Sequence, residues 1–451
     1  MERKDINRKI FKAYDIRGKF PGEWCAEDAY QIIRSYITIT GCKSMVISHD
    51  MRDSGEEICE QLVKGAIDQG CDVYYIGLAS TPMNYFAVKT LQTEGGVQVT
   101  ASHNPAGYNG MKITMKNAVP SVGIVDNDEL WEKACASDFA PVDKKGEILD
   151  LKIDLIDKYC DAVIEAANIK SIPLKLAIDC GNGMSGYYLP TLMKKLGCDP
   201  IRLYWRQDGS FPNHEANPLK EETLLRLRDT VVDNGCDLGI AYDGDSDRVG
   251  FVDEKGEIIP GDFATAIIAK SLLEENPGKT IFYDLRASWV VKEEIEKAGG
   301  VAKMCRVGHA PIKTQMRNED GFFAGELTGH FYFSQFFVTD NGDLAMLNVI
   351  KQLLHGKKAS ELSAPLKRYF KINEINSKVE DAQATLKKVE EIYGPQAKNT
   401  YHLDGFSAEF EDWWISVRMS NTEPLVRLNL EAKTKELMEE KTKEVLSVIR
   451  G

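Results

Sequence analysis

Short apolar runs alternate with helical periodicities over about the first 370 positions. Met45-Val46-Ile47 reads as a strand. Ile58, Leu62 and Ala66 follow at the i, i+4, i+8 spacing of one helix face, and Val73-Tyr74-Tyr75-Ile76 reads as the next strand. Strand, helix and strand at these lengths predict a parallel βαβ unit. The phrase returns twice. Leu176-Ala177-Ile178-Asp179 leads through Gly181, Gly183 and Gly186 into a helix carrying Leu189, Leu192 and Leu196. Thr280-Ile281-Phe282-Tyr283-Asp284 leads through Ser288 into one carrying Val291 and Ile295, and in the first copy the corresponding acid is Asp50. A strand ending in Asp, a polar turn and a helix, repeated at intervals of roughly 105–130 residues, predicts three copies of one α/β domain; the alternative is one large sheet with internal repetition.

From about residue 371 the texture changes. Ile372–Val379 is strand-like, Ala382–Tyr393 helical, and Phe410, Trp413-Trp414-Ile415 and Leu425–Leu430 precede a charged helix near Lys435–Ile449. This predicts a smaller α+β domain. The expected units are 1–150, 151–256, 257–370 and 371–451.

Composition sets limits on partners. With 43% hydrophobic and 28% charged residues, the chain has the balance of an ordinary globular protein, which excludes a disordered, collagenous or disulfide-stapled miniature fold. Lys plus Arg number 56 against 69 Asp plus Glu, a formal charge of −13. Bulk charge therefore argues against nucleic acid and anionic membranes, and any anionic ligand needs locally concentrated cations. The ten cysteines are scattered without a CxxC pair, which predicts free thiols in a reducing compartment. The charged start and the absence of a long uncharged apolar run predict a cytoplasmic protein.

Four segments carry candidate chemistry. Thr100-Ala101-Ser102-His103-Asn104-Pro105, with Gly107, Gly110 and Lys112 beyond, follows the strand-like Val97-Gln98-Val99. Ser beside His with Lys nearby suits an activated nucleophile, or else a plain Ser/Asn turn; the Gly-x-Ser-x-Gly elbow of acyl chemistry is absent. Asp243-Gly244-Asp245-Ser246-Asp247-Arg248 follows the strand Leu238–Tyr242. Three carboxylates at alternate positions converge on a hard divalent cation and repel one another without it. An EF-hand is the competing pattern, with Glu254 at loop position 12, but Arg248 stands where that loop needs Gly. Gly325-Glu326-Leu327-Thr328-Gly329-His330 offers groups that hydrogen-bond vicinal hydroxyls, or forms a simple glycine turn. Arg418-Met419-Ser420-Asn421-Thr422-Glu423-Pro424, with Arg427 beyond, suits a phosphate or a structural turn.

Together, in this order and over essentially the whole chain, these segments resemble the α-D-phosphohexomutase superfamily. The resemblance implies three similar mixed-sheet α/β domains and a smaller α+β C-terminal domain around a central cleft. It implies that Ser102 carries a phosphoryl group and that Asp243, Asp245 and Asp247, with that phosphoserine, hold Mg²⁺. The phosphoryl then passes to a hexose phosphate through a hexose 1,6-bisphosphate, completing a shift between positions 1 and 6. Arg17, His103, Lys112 and Arg248 are expected at the reacting end, with Lys112 and His103 as candidates for proton handling. Glu326, Thr328, His330, His309 and Arg286 are expected on the sugar, and Arg418, Ser420, Asn421, Thr422 and Arg427 on the distal phosphate.

Three departures from the family pattern stand out. Leu327-Thr328 replaces a common Met-Ser, Ser246 replaces a common Gly, and Arg286 stands where some members have Lys. His330 closing the sugar loop, and Phe11-Lys12-Ala13-Tyr14-Asp15-Ile16-Arg17-Gly18, look more like the phosphomannomutase/phosphoglucomutase branch, with phosphoglucomutase or phosphoglucosamine mutase as alternatives. The implied partners are small-molecule hexose phosphates, with the chain a monomer or homodimer. The readings of other classes are a non-catalytic Ca²⁺ or sugar-phosphate-binding module and a phosphatase using Asp243 as nucleophile.

Overall fold

Four sheets follow one another in the computed structural model, which describes residues 5–419 and 425–451. Sheet I contains β1 (Ile16–Lys19), β2 (Ser44–His49), β3 (Asp72–Leu78), β4 (Gly95–Val99), β5 (Tyr108–Met115) and β6 (Val119–Pro120). Sheet II contains β7 (Leu176–Asp179), β8 (Ile201–Leu203), β9 (Leu238–Tyr242), β10 (Val249–Asp253) and β11 (Ile258–Ile259). Sheet III contains β12 (Thr280–Asp284), β13 (Val301–Cys305), β14 (Phe323–Gly325), β15 (Phe331–Phe333) and β16 (Thr339–Asp340). Sheet IV contains β17 (Phe370–Lys371), β18 (Ile375–Lys378), β19 (Asn399–Tyr401), β20 (Phe406–Glu409), β21 (Trp413–Met419) and β22 (Leu425–Ala432).

The repeated phrase of the sequence is a repeated topology. The orders β3-β2-β4-β5-β1, β8-β7-β9-β10-β11 and β13-β12-β14-β15-β16 superpose position by position. In each, the first two pairings are parallel and the last two antiparallel. The strand that leads into Asp50 and those ending at Asp179 and Asp284 hold the same place in all three, flanked by parallel partners and buried on both faces, which is why they read as apolar runs. Sheet IV is wholly antiparallel, with helices Ala382–Tyr393 and Lys435–Arg450 packed on it. The chain is thus α/β throughout its first three units and α+β in its fourth. The continuous strand expected over 372–379 is instead β17 and β18, interrupted at 372–374 where Glu374 turns toward arginines of the neighbouring strands.

Packing divides the molecule unevenly. A single apolar cluster unites Val46, Met83 and Phe86 of the first unit with Tyr159, Leu189 and Ile240 of the second and Ile281, Phe323 and Leu347 of the third. The fourth unit has its own core around Val389, Tyr393, Ile415, Leu428 and Val445. Loops at the carboxyl ends of β4, β9 and β14 carry the first three segments singled out above, and those after β2 and β12 carry Asp50 and Arg286, the usual place for ligands in open α/β sheets. Among the described residues, no helix is long and apolar enough to cross a membrane.

Candidate active site

The loop after β4 reaches Ser102 in a left-handed conformation, φ +51°, with the residue 1% exposed. Three residues hold it there. Thr100 Oγ1 donates to Asp50 Oδ2 (2.6 Å) and accepts from Ser102 N (2.9 Å). Arg52, which follows β2, donates to the backbone carbonyls of Ser102 (2.9 Å), Asn104 (2.6 Å), Pro105 (2.9 Å) and Tyr108 (3.0 Å), and packs under the Phe211 ring. One guanidinium thus spends its fork on the turn that presents Ser102. The sequence reading did not single out Arg52; a lone Arg after a strand has no motif.

The loop after β9 meets this turn face to face. Gly244 lies so close that a Cβ there would stand 2.6 Å from Ser102 O, so only glycine fits. Its neighbours are tied to three units: Thr81 N donates to Asp245 O (3.0 Å), Met184 N to Gly244 O (2.8 Å) and Val249 N to Gly329 O (3.1 Å). Ser246 takes φ +66°, a left-handed backbone that glycine adopts freely and that carries a small cost for serine. Glu254, the EF-hand candidate, points elsewhere and accepts from Ser360 N at 3.0 Å.

Ser102 Oγ donates to Asp243 Oδ2 at 2.8 Å. Lys112 Nζ bridges Asp245 Oδ2, at 2.7 Å, and Asp247 Oδ2. Oxygens of Asp243, Asp245 and Asp247 come within 4.8 Å of one another in full burial, and among the described residues Oδ1 of Asp245 and of Asp247 has no hydrogen-bond partner. Burial and the neighbouring Asp245 and Asp247 push the Asp243 carboxyl well above its ordinary range. A hard divalent cation such as Mg²⁺ removes both problems, and the all-oxygen donor set fits it. Burial opposes the charge on Lys112, but Asp245 and Asp247 outweigh it and hold this side chain firmly as the cation.

Around this centre stand His103, Arg17 and Arg248. His103 Nδ1 is 3.3 Å from Ser102 Oγ, and burial, then Arg248 and Arg17, push its pKa far down, so the ring is neutral. Arg17 is paired to Asp15 and donates to Asn104 Oδ1 (3.0 Å). Arg248 donates from its backbone to Asp243 Oδ1 (3.2 Å) and from Nε to His330 Nε2 (2.8 Å).

A chain of contacts runs from there to the other end. The His330 and Tyr332 rings stack, 6.0 Å between centroids; Tyr332 Oη donates to Glu326 Oε2 (2.8 Å), and Glu326 Oε1 lies 3.5 Å from Arg286. Arg286 is clamped by Asp284 and lies 3.9 Å from Glu374. Glu374 accepts from Arg418 (2.9 Å), Arg427 (3.1 Å) and Asn429 (3.0 Å). Arg418 and Arg427 are register partners on β21 and β22, which sets their side chains together, and Arg418 also pairs with Asp404 at 3.0 Å. Arg418 Nε is buried without a partner among the described residues. Thr328 Oγ1 and both ring nitrogens of His309 are likewise buried and unpartnered, as groups awaiting a polar ligand. Ser420, Asn421 and Thr422 lie outside the described residues.

Tyr14, which no motif of its own marks in the sequence, belongs to this lining. Its ring packs on His309, its Oη donates to Val307 O (3.2 Å), and a Cβ on Gly308 (φ +112°) would strike it at 2.7 Å.

Comparison with known proteins covers the same ground. Residues 8–130, 157–256 and 260–369 match phosphoglucomutase/phosphomannomutase alpha/beta/alpha domains I, II and III, and residues 374–448 match the C-terminal domain of that family. A phosphomannomutase of Escherichia coli (strain K12) is 39% identical over 448 residues, spanning 97% of this chain and 98% of that protein. The crystal structure of a phosphoglucomutase/phosphomannomutase family protein from Burkholderia thailandensis gives a TM-score of 0.90 at 28% identity, over 99% of this chain and 98% of that one. An Aspergillus fumigatus N-acetylphosphoglucosamine mutase, solved with GlcNAc-6P and magnesium, shares the fold at 14% identity and a TM-score of 0.59, over 98% of this chain and 95% of that one.

Proposed function

This chain belongs to the phosphoglucomutase/phosphomannomutase family, and from that premise we propose that it shifts a phosphoryl group between positions 1 and 6 of mannose phosphate, and also of glucose phosphate. It is a phosphomutase that interconverts hexose phosphates. The observation that carries the site assignment is Ser102 Oγ at 2.8 Å from Asp243 inside the group of three buried carboxylates.

In this reading Ser102 carries the phosphoryl group, and Asp243, Asp245 and Asp247 hold Mg²⁺. When bound, the ion neutralises phosphoryl charge and lines up the transferring oxygens. Lys112 and Arg248 add positive charge at the same place. A sugar hydroxyl forms the new O–P bond as the Ser102 Oγ–P bond breaks. Neutral His103 relays the hydroxyl's proton to Ser102 Oγ, so no net proton leaves the site. Glu326, Thr328 and His309 meet the sugar hydroxyls. Arg418 and Arg427, with Ser420, Asn421 and Thr422, anchor the phosphate that is not reacting. The hexose 1,6-bisphosphate then turns over in place and returns its other phosphoryl group to Ser102. The chain acts as a monomer or homodimer.

Turnover of mannose 1-phosphate against glucose 1-phosphate, with Mg²⁺ and catalytic hexose 1,6-bisphosphate, tests the assignment. Mannose 1-phosphate is expected to give the higher kcat/KM. Exclusive use of glucose or glucosamine phosphate would move the chain to another branch. Steady release of inorganic phosphate would make it a phosphatase, and binding without turnover a mere sugar-phosphate module.

A further inference from the structure

Lys313 is buried completely, on the helix His309–Asn318, and neither the sugar loop nor the metal loop contains it. Its Nζ lies 2.8 Å from Asp340 Oδ1, donates to Tyr85 Oη at 3.2 Å and sits 4.5 Å from the Tyr85 ring centre. Asp340, on β16, is 1% exposed. Its other oxygen is 3.2 Å from His330 Nδ1, an ion-pair distance without hydrogen-bond alignment, and Asp247 Oδ1 is 3.7 Å from the same nitrogen, which has no hydrogen-bond partner among the described residues. Asp247, His330 and Asp340 form a second compact group with metal-ligating atoms, but the Lys313 ammonium already neutralises its acid end.

The hydrogen bond on the far side of His330 fixes what this arrangement means. Arg248 Nε can only donate, and it donates to His330 Nε2 at 2.8 Å. Nε2 must therefore carry the lone pair, and in the neutral ring the proton sits on Nδ1, facing Asp340. We propose that Asp340 and Lys313 are positioning residues: Lys313 keeps Asp340 charged and in place, Asp340 holds His330 as the Nδ1–H tautomer, and His330 Nε2 then fixes Arg248. That contact consumes only Nε of Arg248 and leaves its terminal nitrogens for the phosphoryl oxygens beside Asp243. An isosteric amide at 340 can turn its NH₂ toward Nδ1, favouring the other tautomer and placing N–H against N–H at Arg248.

The inference rests on the phosphomutase reading only where activity is measured; the tautomer is read without turnover. ¹⁵N-histidine labelling of the Mg²⁺-loaded protein, with His330 assigned through its substitution, should show a pyrrole-type Nδ1 and a pyridine-type Nε2. The opposite pattern in the unsubstituted protein overturns the inference by itself. Asp340→Asn should reverse that pattern and lower kcat by about 10–100-fold, the range found when outer partners of site residues are removed. KM for hexose phosphate should change by less than about threefold, because the substituted group acts on the phosphoryl end alone. In a His330→Gln background the amide oxygen accepts from Arg248 without help, so Asp340→Asn should cost little further activity. Full additivity of the two losses, or an Asp340→Asn protein with unchanged tautomer and kcat, contradicts the proposal. If no hexose phosphate is turned over at all, the phosphomutase reading fails while the tautomer result stands.

Discussion

Around Ser102 the charged groups are buried in a body whose three sheets share one apolar core, whereas Arg418 and Arg427 sit on a sheet with a core of its own. The first region is prearranged: the Ser102 turn is clamped by Arg52, and the carboxylate loop is tied by backbone hydrogen bonds to all three α/β units. The second region meets the rest through polar contacts that include Trp289 N to Glu431 (2.9 Å), Lys371 to Asp262 and Arg286 to Glu374. Its arginines are held meanwhile by carboxylates of the same unit, Glu374 and Asp404. Rigid placement suits bond exchange, where small misplacements are costly. A separate body with exchangeable counter-ions suits a group that must release and regrip a phosphate while the sugar turns over.

Substitutions at the two ends should therefore fail in different ways. The largest effect is expected of Ser102→Ala, with kcat falling at least ~10³-fold while the melting temperature stays put, since the side chain adds almost no packing. Equal turnover in that variant would remove the basis for the reacting end. Arg418→Met should instead raise KM by roughly 10–100-fold, the worth of charge-assisted hydrogen bonds to one phosphate, with kcat affected less. A kcat loss as large as that of Ser102→Ala would erase the distinction between the ends.

Glu374→Gln probes the counter-ion idea. The carboxylate occupies donors that a phosphate would use, so its neutralisation should lower KM by roughly 2–5-fold, as expected for a partly exposed ion pair. A raised KM would mean that Glu374 shapes the arginines rather than competing for them.

The mildest test bears on the shared core. Tyr159, Tyr188 and Tyr242 of the second unit all donate to the fully buried Asp343 of the third, at 2.6, 3.0 and 2.9 Å. Burial raises that carboxyl to about 6, although the tyrosines pull the other way. A raised carboxyl pKa means that the folded state binds the proton more tightly. Its contribution to stability is complete below the unfolded value near 3.8 and is lost as pH rises through about 6. Relative to the unsubstituted protein, Asp343→Asn should therefore gain about 2 kcal/mol of stability between pH 4.5 and 7.5. Urea unfolding at the two pH values checks this, and a stability difference that does not change with pH would contradict it.

What could be seen in the chain beforehand followed the same division between local and distant. The repeated strand–Asp–helix phrase, the helix Ala382–Tyr393 and all four loops are contiguous patterns, so the sequence displays them directly. Arg52, Lys313, Asp340 and Glu374 are single residues whose meaning depends on partners far away along the chain: backbone carbonyls near 102, the ring at 330, guanidiniums at 418 and 427. No spacing rule reaches them. Glu374 is concealed by its setting, because Ile372 and Ile375 around it suggest a continuous strand. The net charge of −13 gave no hint of where the cations Arg17, Lys112 and Arg248 would gather.

The central claim is that the phosphoryl group on Ser102 goes to the sugar and nowhere else. The direct test is a single-turnover experiment: Mg²⁺-loaded protein carrying a labelled phosphoryl group on Ser102, mixed with stoichiometric mannose 1-phosphate and quenched within the first turnover. The label should appear in the hexose 1,6-bisphosphate and at position 6 of the mannose 6-phosphate formed. Label recovered as inorganic phosphate, or left on the protein while sugar phosphate is converted, would contradict the account.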